Sequence, residues 1–278
     1  LDGGIFPGSL ASCELHAIRH EVLTSAQLSR RFPGYCFPDD YLAVYQPDGG
    51  ILDPEACVAT HLSAAIKAGA TVRLDERVLD VEPGGGATVI RTSAGEYSAE
   101  RVVVAAGPWT REIIPRLREL AVPERQVVGW FEPADPALFD ADRFPVFNAQ
   151  VDEGHYYGFP FDAGGVKVGR YHHLKERVEP SAYDRDVHPR DEAVLRAFVG
   201  RYLRSAAGAM IRAETCLFTN SPDEHFIIDR LDDRTAVAAG FSGHGFKFCS
   251  VVGEILADLV TSGWTRHDID LLRLDRFP

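Results

Sequence analysis

Thr235-Ala236-Val237-Ala238-Ala239-Gly240 runs directly into Phe241-Ser242-Gly243-His244-Gly245-Phe246-Lys247-Phe248, and a segment from about Cys249 to Thr261 follows with helical spacing. A short run that is apolar on both faces reads as a strand buried between layers. Strand, glycine loop and helix in that order belong to an α/β layer. They let backbone N–H groups and the positive end of a helix dipole meet an anionic atom. The spacing alone fits equally well a tight turn in which glycine serves only positive φ.

Working outward, Arg101-Val102-Val103-Val104-Ala105-Ala106 is a second run read as a buried strand, stopping at Gly107-Pro108-Trp109-Thr110 before a helical segment. Asp53-Pro54-Glu55 predicts a helix start, with Asp as N-cap and Pro at the first position. Apolar Ala56, Ala59, Leu62 and Ile66 follow, and Gly69 ends it. Strands are expected at 70–74, 77–82 and 87–92, punctuated by Gly84-Gly85-Gly86 and Ala94-Gly95. Aromatic, β-branched and glycine residues alternate through 126–171, which predicts an antiparallel sheet. The segment 189–204 reads as an amphipathic helix burying Val194, Leu195, Phe198 and Leu203, and strands follow at 211–218 and 226–229.

Composition excludes several classes. The chain has 278 residues, 45% hydrophobic and 25% charged, with a mean hydropathy of -0.11, which is ordinary for a globular protein of one large domain or two. A net charge of -12 with no basic cluster argues against nucleic acid as a partner. No apolar run approaches the roughly 20 residues needed to span a bilayer, so no membrane role is expected. The 5 cysteines are odd in number and scattered, which fits neither a disulfide framework nor zinc and points to the cytoplasm. His155, His172 and His173 lack i, i+4 spacing, and no metal site is expected. The single methionine is Met210 and the chain opens at Leu1, so a missing upstream segment is also expected.

Among candidate chemical groups, Gly240-Phe241-Ser242-Gly243-His244 resembles a hydrolase nucleophile elbow but has His244 where that motif needs glycine. Lysine occurs four times, at 67, 167, 175 and 247. Alternation aims Lys167 away from its valine neighbours toward the other face of its strand, where an anionic ligand or simply a sheet edge would account for it. Cys216 reads by itself as a small hydrophobe.

Taken together, Thr215-Cys216-Leu217-Phe218-Thr219-Asn220-Ser221-Pro222-Asp223-Glu224-His225-Phe226-Ile227-Ile228-Asp229 and Gly240 through Phe248 resemble the monomeric sarcosine oxidase and N-methyltryptophan oxidase family. The likeness extends to Gly49-Gly50-Ile51-Leu52-Asp53-Pro54, Val104-Ala105-Ala106-Gly107-Pro108-Trp109, Tyr157-Gly158-Phe159-Pro160 and Gly165-Val166-Lys167. It implies an α/β plus α+β fold, a partial FAD-binding Rossmann-like domain (40–120 and 212–278) interleaved with an antiparallel-sheet substrate domain (1–39 and 121–211). The family's N-terminal G-x-G-x-x-G fingerprint has no counterpart here.

The resemblance implies FAD joined covalently through Cys216, with Val78, Ala106, Gly107, Trp109, Phe241, Gly243, His244, Gly245, Phe246 and Lys247 around the cofactor. Lys247 would hold the substrate carboxylate, and Lys167 would promote reaction of reduced flavin with oxygen. Tyr157 and Phe218 would line the substrate side, joined by Tyr171 or His172, between which the spacing does not choose. Phe218 stands where sarcosine-specific members carry tyrosine. The implied reaction oxidises a small-molecule secondary amine with oxygen as acceptor, giving hydrogen peroxide. The expected form is a monomer, with a second chain a possible source of the absent segment. The rival expectation is a non-catalytic remnant or a subunit of a split flavoenzyme.

Overall fold

The computed structural model describes residues 4–162 and 164–278, with Pro83 described in its backbone only. In chain order the elements are α1 (Ile5–Leu15), β1 (Glu21–Thr24), α2 (Ser25–Arg31), β2 (Leu42–Tyr45), α3 (Pro54–Lys67), β3 (Val78–Pro83), β4 (Thr88–Thr92), β5 (Glu96–Ala99) and β6 (Val102–Val104). Then come α4 (Thr110–Ile113), β7 (Val122–Phe131), β8 (Phe147–Val151), β9 (Gly154–Asp162), β10 (Gly165–Arg170), β11 (Glu176–Arg177), α5 (Pro189–Tyr202), β12 (Met210–Asn220), β13 (Ile227–Arg230), β14 (Thr235–Ala239) and α6 (Cys249–Ser262). They divide into two compact units: Leu1–Ile51, Arg125–Glu176 and Tyr183–Cys216 form one, and Leu52–Glu124, Arg177–Ala182 and Leu217–Pro278 the other.

The first unit is built on a sheet ordered β11-β7-β10-β9-β8, with β12 also paired to β7. The pairs β7·β10, β10·β9 and β9·β8 are antiparallel, as the alternation through 126–171 predicts. Period-2 geometry sends Val166 and Val168 to one face, where they join Val127, Phe131 and Tyr156 against Leu195, Phe198, Val199 and Tyr202 of α5. Of the expected helix face, Leu195, Phe198 and Leu203 are fully buried and Val194 is packed at the margin.

The second unit holds the sheet β13-β14-β6 and the meander β3-β4-β5. β14 runs antiparallel to β13 and parallel to β6. All five residues of β14 are buried, and α6 covers the sheet through Val252, Ile255, Leu256 and Leu259. Asp53 caps α3 by accepting from Ala56 N–H at 2.9 Å, with Pro54 at the first position.

Two expectations are corrected. The run 70–74 forms no strand: Asp75 turns the chain at φ 57, and Leu74 is exposed, so no neighbour offers a ladder. The valine run at 101–106 is not buried on both faces, since β6 ends its sheet and Val103 is 41% exposed. Among the described residues no helix is long and apolar enough to cross a membrane.

Candidate active site

The face of the first unit's sheet opposite α5 holds several of the candidate residues. Register places Lys167 of β10 directly across from Trp130 of β7 on one side and Phe159 of β9 on the other, with Gly169 across from Tyr157. The Lys167 ammonium lies 5.0 Å from the Trp130 ring centroid and 5.1 Å from that of Phe159. Gly169 permits the tyrosine to lie across the strand, because a Cβ there would meet the Tyr157 ring at 2.4 Å.

Cys216, on β12, is partly buried and free. Burial pushes its thiol up, the Lys167 charge pulls it down, and Glu214 pushes it up again. Burial raises Tyr157 far above the usual phenol range, with Cys216 and Tyr171 adding to the effect. These mutual influences put Lys167, Tyr157, Cys216 and Tyr171 in one neighbourhood.

Of the two candidates after Lys167, Tyr171 meets Tyr157 edge-on, at 5.0 Å between centroids, and stacks on His155 at 4.1 Å. His172, the other candidate, sits at φ 52 in the turn after β10. Trp130 was read from sequence only as part of a strand. Its relation to Lys167 is a matter of cross-strand register, which no local pattern reveals.

The glycine loop belongs to the second unit. Ser242 is 2% exposed and at φ 48; its Oγ donates to Gly240 O at 3.1 Å and accepts from Ser221 N–H at 3.2 Å. A hydroxyl so committed is a loop brace, which removes the hydrolase reading. Gly243 has φ 80, and a Cβ there would meet the Phe218 ring at 2.3 Å. At Gly245 a Cβ would meet Phe241 at 2.4 Å. Both glycines are therefore required by close packing against aromatic rings.

His244 donates from Nε2 to Glu224 O at 3.0 Å, and burial lowers its pKa. The Lys247 ammonium donates to His244 O at 3.0 Å and is lowered by desolvation. Phe246 and Phe248 form the 3-10 turn that opens α6. In the same unit Ala106 precedes Gly107 (φ 52), and Trp109 donates from Nε1 to Ser181 Oγ at 2.8 Å. Val78 pairs with Thr92 at the start of β3. Among the described residues no cluster of three or more His, Cys, Asp and Glu could hold a metal.

The structure thus gathers Tyr157, Lys167 and Cys216 in one unit, and Gly243 through Lys247 with Phe218 and Phe241 in the other. A family model described as FAD dependent oxidoreductase matches residues 7–259. The chain belongs to that family. This oxidoreductase is 39% identical over 275 residues to monomeric sarcosine oxidase of Bacillus sp. (strain NS-129), with 96% of its own length and 71% of that protein's covered. It is 34% identical over 271 residues to N-methyl-L-tryptophan oxidase of Yersinia pestis (strain Pestoides F), covering 96% and 72%. Among solved structures it is similar to NikD, an unusual amino acid oxidase essential for nikkomycin biosynthesis, with TM-score 0.80, 26% identity and coverage of 97% and 72%. Glycine oxidase from Geobacillus kaustophilus shares the fold, with TM-score 0.78 at 20% identity and coverage of 96% and 70%. The oxidoreductase therefore spans about 70% of the length of these relatives.

Proposed function

We propose that this oxidoreductase acts on a secondary amine, an N-methyl amino acid of the sarcosine or N-methyltryptophan kind. The product imine hydrolyses to an aldehyde and the amino acid, and oxygen leaves as hydrogen peroxide. The observation that carries the reading is the sheet face that presents Lys167 and Tyr157, with the Cys216 thiol close enough to feel the Lys167 charge. The names of the curated relatives support the substrate class.

The residues present fit FAD. Gly243 is exposed in the loop where a strand hands over to a 14-residue helix, and helix N-termini favour electronegative atoms. Bound FAD supplies the two-electron redox chemistry. Residues 40–120 and 212–278 form its binding portion and 1–39 with 121–211 the substrate portion, with Val78, Ala106, Gly107, Trp109, Phe241 and 243–247 as cofactor neighbours. Cys216 would be the attachment point, a thiol that burial pushes up and the Lys167 charge pulls down.

Lys247 pairs with the substrate carboxylate, and its lowered pKa reflects a site where an ammonium gains from an anionic partner. Tyr157 and Tyr171, whose rings meet edge-on in the first unit, shape the amine side of the site. Lys167 holds a fixed positive charge where oxygen acquires electrons, the kind of preorganised electrostatics that lowers barriers most. The free cysteines suit the cytoplasm, and the protein acts as a monomer.

The test is to purify the flavin-loaded protein and its Cys216→Ala variant, precipitate both in acid, and assay peroxide from sarcosine, N-methyltryptophan, glycine and tryptophan. Flavin should stay with the unmodified polypeptide and leave the variant, and peroxide should come from the two methylated substrates. Release of flavin from both forms overturns the thiol attachment. Equal peroxide from the unmethylated amino acids overturns the secondary-amine reading.

A further inference from the structure

Lys167 is a half-buried cation, and such a group ordinarily requires a carboxylate or a bound anion. Among the described residues no carboxylate forms an ion pair with it; its ammonium instead lies over the rings of Trp130 and Phe159, its two cross-strand neighbours. The acid that influences the same site from β12, Glu214, is taken up by Arg212, whose Nε donates to it at 2.9 Å. Arg212 in turn lies 4.5 Å from the Trp130 centroid. A carboxylate at Lys167 would hold the side chain but cancel its field. An aromatic face holds the ammonium through its quadrupole and leaves the charge whole.

We infer that Trp130 is a positioning residue for Lys167, seating the ammonium by a cation–π contact that keeps its charge available to oxygen. Arg212 completes the device by tying up Glu214 and resting on the same indole. The inference rests on the reading of Lys167 as the oxygen-reacting lysine, and its test separates the two.

With four lysines in the chain, selective labelling at lysine Cε gives four NMR signals, that of Lys167 being identified by its loss in Lys167→Met. Ring currents should set the Lys167 signal apart from those of exposed Lys67 and Lys175. Trp130→Leu should move it toward them, and Trp130→Phe should keep most of the separation. In the flavin-loaded protein, Trp130→Leu should slow flavin reoxidation by oxygen about 3- to 30-fold, the rate equivalent of a cation–π contact. Trp130→Phe should recover most of that loss, and neither change should slow anaerobic flavin reduction by the same factor.

A Lys167 signal that Trp130→Leu leaves in place overturns the contact. A moved signal with unchanged reoxidation, while Lys167→Met is slow, overturns the positioning role. Normal reoxidation in Lys167→Met overturns the underlying reading of Lys167 and, with it, the purpose assigned to the contact. Because Trp130 is buried, the Phe variant guards against a fold defect: a loss shared equally by both variants and both half-reactions is structural and counts against the inference.

Discussion

At the scale of single residues, the most demanding arrangement is one with no part in the proposed chemistry. Asp191, 0% exposed near the start of α5, receives Arg125 Nη1 at 3.0 Å and Nη2 at 2.9 Å, His173 Nε2–H at 3.1 Å and His188 N–H at 2.9 Å. Burial alone would raise its pKa, but the Arg125 hydrogen bonds, the His188 N–H and the Arg125 charge overcome it, giving about 2. A carboxylate depressed in the folded state stabilises the fold above its ordinary value of 3.8 and stops doing so as pH falls toward 2. His173 acts in the same acid direction, since burial keeps it neutral below its ordinary 6.5 while the unfolded chain takes up a proton. Unfolding by urea should therefore become easier from pH 6.5 downward and steeply so between about 4 and 2. Asp191→Asn leaves the buried Arg125 only the longer, 3.4 Å ion pair to the partly exposed Glu176 and should cost about 3–5 kcal/mol at neutral pH, with a flatter acid limb. A neutral-pH loss under about 1 kcal/mol would mean that Glu176 alone is enough to hold the Arg125 charge.

At the scale of elements, the strand, loop and helix from Thr235 to Ser262 depend on glycines whose reasons differ. Gly243→Ala places a Cβ into the Phe218 ring at a backbone angle that L-residues rarely adopt, and should cost roughly 2 kcal/mol or more. Gly253, within α6, has nothing within 4 Å of its would-be Cβ, so Gly253→Ala should gain about 0.5–1 kcal/mol. Thermal unfolding of the two variants should move in opposite directions, and a shared direction would contradict the packing described at Gly243. Elements with a complete local signature were legible from sequence. α3 carries its Asp53 cap and Pro54, α5 its buried period, and β14 its unbroken apolar run. What escaped depends on partners. Val102 to Val104 looks like an interior strand whether or not a neighbour lies beyond it, and 70–74 looks like a strand although no ladder forms there. The site divides in the same way. The Lys167 side was predictable from alternation, but which aromatic faces it, and whether Tyr171 or His172 approaches Tyr157, follows from register and from one left-handed turn. The Arg125, Asp191 and His173 cluster was missed, although Arg125-Gln126 ahead of an apolar strand was a visible polar interruption.

At the scale of the whole molecule, the chain passes repeatedly between its two units, and strand β12 contains one crossing, after Cys216. The flavin attachment proposed for Cys216 thus sits at the last residue of the first unit. On α3, Val58, Leu62 and Ile66 repeat every fourth residue and are 50%, 41% and 56% exposed, forming one apolar stripe on a helix with no buried residue. The chain's charge of -12 opposes self-association only while that repulsion reaches across solvent. At physiological ionic strength it is screened beyond about 8 Å. Colloidal behaviour should follow: light scattering by this chain rises with added salt, and the fluorescence of a hydrophobic dye rises with it. Leu62→Glu with Ile66→Lys should abolish both responses, and salt-independent scattering in the unmodified chain would show that the stripe is not sticky. Handling this protein is then a question of ionic strength before it is one of temperature, because charge repulsion keeps exposed apolar faces such as that of α3 apart.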